Sequence, residues 1–497
     1  MSADSKRPAV TEERIADLLG RIPTTSFVGG EFIEAGRTFP VENPATEETL
    51  VEVGDADAAE VGTAALDAAV AAQRDWAATA PRTRSDILRR AYDLLLERAD
   101  DFALLMTLEM GKPLEEAYGE VTYGAEFFRW YSEEAVRLPG GYGRAPSADH
   151  TITVGMRPVG PVLAITPWNF PLSMGTRKVG PALAAGCTVV VKPAGLTPLS
   201  MLLLMQTLKD AGVPDGVVNC VVTKDSGALS STLMADPRLR KVSFTGSTAV
   251  GKDLLKLAAD GVLKSSMELG GNAPFLVLPS ADIDTAVEAA MPAKFRNNGE
   301  ACTAANRFYV HASVAEEFTR RFVEETKHLV VGPGVEDGTT MGPMVEAKAV
   351  DKIEELVQDA VDCGAAVLTG GARVDGPGHF FQPTVLGDVP RSARVNREEI
   401  FGPVAPIIVM DDVEEMIEAA NDTEFGLMSY VIGEDPAEVD AVVQSIESGM
   451  LAINVGVASD AAAPFGGVKQ SGLGREGSAR GLEEYLEPFY MRRPVGR

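Results

Sequence analysis

Cysteine is scarce in this chain: Cys187, Cys220, Cys302 and Cys363 are the only four in 497 residues. They lie far apart, form no Cys-x-x-Cys pair and show no metal-ligand spacing with the four histidines. A disulfide framework and a zinc site are thereby disfavoured, and a reducing compartment is expected. Long apolar runs are also missing; no stretch of 18 apolar residues exists, so no membrane-spanning helix is expected. Positive charge is in deficit, with 45 Lys and Arg against 72 Asp and Glu, a formal net charge of −27. That balance argues against nucleic acid, whose binding is dominated by cations on phosphates, and against an acidic membrane surface. The opening "MSADSKRPAVTEERIADLLGRI" has no apolar signal core and reads as an amphipathic helix after a polar tail. The expected location is the cytoplasm. Two catalytic signatures are absent as well: His-Glu-x-x-His and Gly-x-Ser-x-Gly.

What is present is an ordinary globular composition, 45% hydrophobic and 24% charged. The length exceeds what one core supports, so two or three domains are expected. Residues 57–137 carry apolar side chains at helical spacing, with Thr83 as a candidate cap. "LPGGYGRAPSADH" is a Pro/Gly-rich break, and "TITVGMRPV" after it has the composition of a strand. From about residue 160, "PVLAITPW", "TVVVKP", "GVVNCVV" and "KVSFTG" alternate with helix-length segments. Strand, helix and strand at that spacing predict an α/β fold with a parallel sheet. A second α/β pattern runs from about 270 to 450, with "APFLVL", "RFYVHA", "AAVLTGG" and "LAINV" as strand candidates. The closing "EPFYMRRP" is expected to pair as an edge strand.

Several short stretches carry chemical promise. "GSTAVGKD" approaches the phosphate-loop pattern, but Asp253 stands where that pattern needs a magnesium-binding hydroxyl. An acid there would repel phosphate oxygens, which argues against an NTPase. Two readings stay open for this turn: a helix N-terminus holding a dinucleotide pyrophosphate, or a plain strand-to-helix turn. Cys302, in "FRNNGEACTAANRF", lacks apolar neighbours to hide among. His311 follows nine residues later, but no third group orients it, and a structural histidine is the simpler reading. Glu268 closes an apolar run before paired glycines in "SSMELGGNAPF", and Glu399 precedes a Phe-Gly-Pro turn in "REEIFGPV". Asn169, in "TPWNFP", presents an amide at a strand end between aromatics and prolines, a placement suited to an oxyanion donor.

Taken together, "TPWNFP", "KPAGLTP", "FTGSTAVG", "MELGGN", "FRNNGEAC", "EEIFGPV" and "PFGGVKQSGLGRE" resemble the aldehyde dehydrogenase superfamily, in its order and across nearly the whole chain. The resemblance implies that Cys302 is the nucleophile, that Glu268 activates the thiol or the hydrolytic water, and that Asn169 meets the oxyanion. It also implies Glu399 on the nicotinamide ribose, Phe401 against the ring, and Lys192 and Ser247 at the adenosine ribose and pyrophosphate. Thr166, Trp168, Gly246 and Leu269 complete the implied cofactor site.

NAD-preferring members carry a glutamate after "KPA" that accepts from both ribose hydroxyls; here the position is Gly195. Losing that acid removes repulsion against a 2′-phosphate, which Lys192 and Lys224 would pair. NADP is therefore expected over NAD, with dual use the alternative. On the substrate side, Arg177, Arg296 and Ser459 look like the family's anchors for the distal carboxylate of succinic semialdehyde, with Trp168 and Phe465 at the aldehyde entrance. The net negative charge does not forbid this, because bulk charge is screened beyond about 8 Å. A close pair at effective dielectric ~20 gains about 4 kcal/mol before desolvation. The alternative is that one or both arginines are structural, paired with an acid such as Glu300. Glu300, two residues from the thiol, would raise its pKa unless it points away. Ala304 stands where some relatives carry a second cysteine, so disulfide regulation is not expected.

The implied architecture is a Rossmann-like dinucleotide-binding domain (1–138 and 152–268) and an α/β catalytic domain (269–470). A small β oligomerisation element (139–151 and 471–497) would build a homodimer or homotetramer. The competing expectations are a broad aldehyde dehydrogenase for uncharged aldehydes, a catalytically retired binding protein, and a coenzyme A-acylating enzyme. No metal is expected.

Overall fold

The computed structural model describes residues 7–495; the first six residues of the expected polar tail and the last two of the expected oligomerisation element lie outside that range. The N-terminal amphipathic segment is the helix Glu12–Arg21, capped by Thr11, whose hydroxyl accepts from the Arg14 N–H at 3.2 Å. Four helices follow: Glu60–Ala78, Pro81–Glu97, Ala99–Met110 and Leu114–Glu134. The expected Thr83 cap is displaced. Ala80 holds the cap position and Pro81 opens the helix, where its preset φ and missing N–H cost nothing.

Five parallel strands form the centre of an eight-stranded sheet: Val162–Ile165, Val189–Lys192, Val218–Cys220, Lys241–Thr245 and Lys264–Glu268. Side chains along them alternate between two cores. Val162 and Ala164 join one hydrophobic cluster, while Leu163 and Ile165 join the cluster on the opposite face. That division follows from the period-2 geometry of a strand covered by helices on both faces. The spatial order places the 162 strand between the 189 and 241 strands, with 218 and 264 further out on their respective sides.

The second sheet has seven strands, six of them parallel. Ala366–Thr369, Ala273–Val277, Ala305–His311 and Met450–Ile453 match expected strands. Thr384–Gly387, Val404–Met410 and Met428–Ile432 complete the sheet and were not anticipated. Here too Phe275 and Val277 face one cluster and Leu276 and Leu278 the other.

A three-stranded antiparallel sheet joins Gly141–Arg144, His150–Pro158 and Leu486–Pro494. The closing segment is an edge strand, as its pattern suggests. The boundary expected at 151/152 falls inside His150–Pro158, which pairs along its whole length with Leu486–Pro494. Among the described residues no helix is long and apolar enough to cross a membrane.

Candidate active site

The 162 strand leads outward to the 189 and 218 strands, and the chain then returns to 241 and 264 on the other side. A reversal of that kind leaves a crevice beyond the carboxyl ends of the strands flanking it. Thr166, Pro167, Trp168 and Asn169 leave the end of one flanking strand, and Gly246 and Ser247 leave the end of the other. A cavity of about 320 Å³ opens there, lined also by Glu268, Leu269, Cys302, Glu399 and Phe401. Thr166 and Lys192 lie just outside its lining, linked by the Thr166 N–H donating to the Lys192 carbonyl at 3.0 Å.

Cys302 owes its position to an unusual backbone. The helix Ile283–Phe295 ends at Arg296, and Asn297, Asn298 and Gly299 then take φ of +57°, +58° and +75°. Asparagine and glycine are the residue types that tolerate this left-handed region most readily. Both asparagine side chains bolt the turn down. Asn297 Nδ2 donates to the carbonyls of Asn169 (3.1 Å) and Glu300 (2.9 Å). Asn298 Nδ2 donates to the Pro343 carbonyl (2.9 Å), and its Oδ1 accepts from the Gly342 N–H (2.7 Å). Gly299 admits no side chain, since a Cβ there would meet the Gly402 carbonyl carbon at 2.4 Å. The pair Gly270–Gly271 has a related role: a Cβ on Gly271 would lie 2.6 Å from the Cys302 carbonyl oxygen, and one on Gly270 would lie 2.9 Å from Glu399 Oε2.

Asn169 is buried, and its Nδ2 donates one hydrogen to the Glu300 carbonyl at 2.9 Å. The second amide hydrogen is left for another acceptor. Lys112 supports the same residue by donating to the Asn169 carbonyl at 2.9 Å, and is itself paired with buried Glu120. Glu120 in turn accepts from the Leu172 and Ser173 N–H groups at 3.1 and 3.0 Å. Neither Lys112 nor Glu120 stood out in the sequence; only the fold brings them beneath Asn169.

Glu268 ends its strand buried, with Oε2 unpartnered among the described residues. Burial, with the nearby Glu476 charge, pushes its carboxyl well above the usual range against the pull of Arg177 and Lys178. Burial likewise pushes the Cys302 thiol up to about 12, opposed chiefly by Arg177. Glu300 is not among the groups acting on that thiol. Its buried carboxylate turns away and accepts from the Val345 N–H at 3.1 Å. Glu399 is raised to about 7 by burial and accepts from the Gly271 N–H at 2.9 Å. Lys352, which the sequence did not flag, donates to the Glu399 carbonyl at 2.6 Å and lines the cavity. Phe401 holds φ at +55°, a strained setting for a bulky residue, and its ring meets the Trp168 ring edge-on at 5.4 Å.

At the far side of the crevice, Ser247 caps the helix Thr248–Gly261. The residues that mimicked a phosphate loop face elsewhere: Lys252 donates to Gln470 Oε1 at 2.8 Å, and Asp253 pairs with Lys256 at 2.7 Å on the surface. Lys192 is buried without an acid partner among the described residues, and burial lowers it to about 8. Gly195 occupies the turn beyond it, where a Cβ would meet nothing within 4 Å. Exposed Lys224 follows the adjacent strand, its Nζ 5.8 Å from the Phe39 ring centroid. The helix N-terminus at Ser247 presents backbone N–H groups suited to a phosphate.

The two arginines differ. Arg177, only 1% exposed, pairs through Nε with Glu476 Oε2 at 2.5 Å and stacks over Phe465 at 4.1 Å. Lys178 binds the other Glu476 oxygen at 2.5 Å. Burial pushes the Glu476 carboxyl up, but these two cations outweigh it and leave it below the usual range. Arg177 is therefore already neutralised, by Glu476 rather than by Glu300. Arg296 is half-buried, lies 5.4 Å from the Phe170 ring centroid and forms no ion pair among the described residues. With Ser459, Phe465 and Thr303 it lines a narrow pocket behind the Cys302 loop. His311 is structural: its Nε2 meets the Asp411 carbonyl at 2.9 Å, and its Nδ1 caps the following helix. Among the described residues no group of three or more His, Cys, Asp or Glu is placed to hold a metal ion.

Cys302, the buried Asn169 amide and the buried Glu268 carboxyl thus line one cavity at the switch point of a parallel sheet, the setting of a dinucleotide-dependent enzyme. Residues 32–489 match the model of the aldehyde dehydrogenase family, and the chain belongs to that family. It is 57% identical over 428 residues to the succinate-semialdehyde dehydrogenase of Paenarthrobacter nicotinovorans, covering 86% of this chain and 95% of that protein. It is 47% identical to the NADP(+) succinate-semialdehyde dehydrogenase GabD of Escherichia coli (strain K12), covering 94% and 97%. Among solved structures, an NADP-dependent enzyme of E. coli superposes with a TM-score of 0.94 at 45% identity, covering 97% and 99%.

Proposed function

We propose that this protein oxidises succinic semialdehyde to the acid with NADP, through a covalent intermediate on Cys302. The observation that carries this reading is that Cys302 lines one cavity while its neighbour Thr303 lines a second, narrow pocket. The first is the cleft with Glu268 and Glu399; the second is the pocket holding the unpaired Arg296. A carboxylate held at Arg296 leaves the aldehyde carbon to reach the sulfur. The Cys302 thiolate adds to that carbon, and the second Asn169 amide hydrogen meets the oxyanion. Bound NADP supplies the hydride acceptor, leaving a thioester on Cys302. Glu268 then takes a proton from water as the water attacks the acyl carbon, releasing the acid and the Cys302 thiolate.

Lys192, Lys224 and Gly195 would hold the phosphorylated adenosine ribose, and Gly246 and Ser247 the pyrophosphate. Thr166, Trp168, Leu269, Glu399 and Phe401 would hold the nicotinamide half. This reading carries with it the three-part domain division, a cytoplasmic location and a homo-oligomer built through the three-stranded sheet. Exposed Tyr142 and Tyr490 on that sheet support the last point. Glutaric semialdehyde is a near neighbour, since one methylene changes binding by only about 1–3 kcal/mol.

The test is the initial rate of NADP and NAD reduction with succinic semialdehyde beside propionaldehyde. The expected result is a much higher kcat/KM for the carboxylated aldehyde with NADP. Equal values for both aldehydes would overturn the substrate assignment in favour of a broad-specificity enzyme.

A further inference from the structure

Lys112 follows the helix Ala99–Met110, at a turn where Gly111 takes φ of +97°. The turn is clamped from outside: a Cβ on Gly342 would collide with the Gly111 carbonyl, and one on Gly334 would lie 2.5 Å from the Lys112 carbonyl oxygen. The Lys112 side chain is buried, and its ammonium has three uses for three hydrogens. It pairs with Glu120, donates to the Asn169 carbonyl at 2.9 Å, and lies 4.3 Å from the centroid of the Phe170 ring. The same carbonyl accepts a second hydrogen from Asn297 Nδ2 at 3.1 Å, which takes its other lone pair. The Asn169 and Asn297 amides also converge on the Glu300 carbonyl, each at 2.9 Å. Asn169 is thus fixed at main chain and side chain, and the direction of its remaining amide hydrogen is fixed with it. Glu120 anchors the other end, accepting from the Leu172 and Ser173 N–H groups at the start of the helix Ser173–Ala185. A buried ion pair contributes little net stability over apolar side chains of the same volume, so what this pair supplies is direction.

We propose that Lys112, held by Glu120, is a positioning residue for the reaction: it sets the direction from which the Asn169 amide meets the oxyanion. This rests on the reading of Asn169 as the oxyanion donor. Removing one such donor costs roughly 100- to 1,000-fold in rate, and a misplacement of about 1 Å costs up to about 100-fold. Lys112 acts only through Asn169, so its loss should not change the Cys302 thiol itself.

Lys112→Met removes the donors and keeps the side-chain length; a second variant adds Glu120→Gln, so that no buried carboxylate is left unpaired. The expected result is a kcat/KM lowered roughly 10- to 100-fold, by the same factor for succinic semialdehyde and propionaldehyde. Alkylation of Cys302 by iodoacetamide should keep its wild-type rate, because displacing iodide from a saturated carbon develops no oxyanion. In an Asn169→Ala background the same changes should cost nothing further, since no amide remains to be aimed. Unchanged kcat/KM in the otherwise wild-type enzyme would overturn the proposal. So would losses that multiply in the Asn169→Ala background, or alkylation slowed in step with oxidation, which would mark a general structural role. An Asn169→Ala enzyme that keeps its kcat/KM would sink the oxyanion reading and this proposal together. A large loss from Asn169→Ala beside none from the Lys112 variants would sink this proposal alone.

Discussion

Changing Arg177 and Arg296 separately to glutamine should give two different defects, because the fold has given their charges different partners. Arg296 has no ion pair among the described residues. Its charge lowers the Glu116 carboxyl and, as the weakest of several influences, the Cys302 thiol, but its loss removes chiefly the contact with substrate. A unit-charge contact near 4 Å at effective dielectric ~20 is worth about 4 kcal/mol before desolvation. The net value of hydrogen bonds to a charged group is about 1.5–3 kcal/mol. At about 1.4 kcal/mol per tenfold, Arg296→Gln should lower kcat/KM for succinic semialdehyde roughly 10- to 100-fold. Propionaldehyde should be nearly unaffected. Arg177 instead shares buried Glu476 with Lys178. Stripping one partner from a buried ion pair costs about 3–5 kcal/mol, and the remaining lysine should hold the loss to the lower end. Removing that charge also raises both the Cys302 thiol and the Glu268 carboxyl, which Arg177 now pulls down. Arg177→Gln should therefore depress both aldehydes and lower the melting temperature. Reduced nicotinamide formation with each aldehyde, beside a thermal melt of each variant, reads all of these effects. Indistinguishable profiles for the two variants would refute the division of roles.

Two further outcomes follow from the site. Gly195→Glu meets no steric obstacle, since a Cβ there touches nothing within 4 Å, and it restores an acid beside Lys192; the ratio of kcat/KM for NADP over NAD should fall at least tenfold, and an unchanged ratio would show that Gly195 does not set the preference. Burial holds Glu268 above the usual carboxylate range and the Cys302 thiol at about 12, and the deprotonated forms are the active ones. The active fraction therefore grows as pH rises toward those values, so a pH-rate profile should climb from about pH 6 to about pH 9. A profile flat across that range would contradict the assignment of Glu268 as base.

The chemistry was legible from short stretches, because the reacting groups sit on turns whose residue types the backbone demands. "RNNGEAC" is an example. The Asn-Asn-Gly run was visible as a glycine-bearing loop, yet its three left-handed residues and its anchors at Asn169, Gly342 and Pro343 were not. The parallel sheets were legible too, since apolar runs separated by helix-length segments have few other ways to bury both faces. Thr384–Gly387, Val404–Met410 and Met428–Ile432 were missed because they follow turns and short helices whose period resembles a buried helix as much as a strand.

By itself, then, the sequence determined the family, the α/β class, the nucleophile with its candidate acid and amide, and the missing acid at Gly195. Those features reside in residue identity and local period. Only the tertiary structure decided which charges are free. It set Glu476 against Arg177 and Lys178, turned Glu300 away from the thiol, and placed Lys112 and Glu120 beneath Asn169. The physical reason is that the strength of a charge or hydrogen bond depends on burial and on partners hundreds of residues away in the chain. Neither can be read from spacing along it.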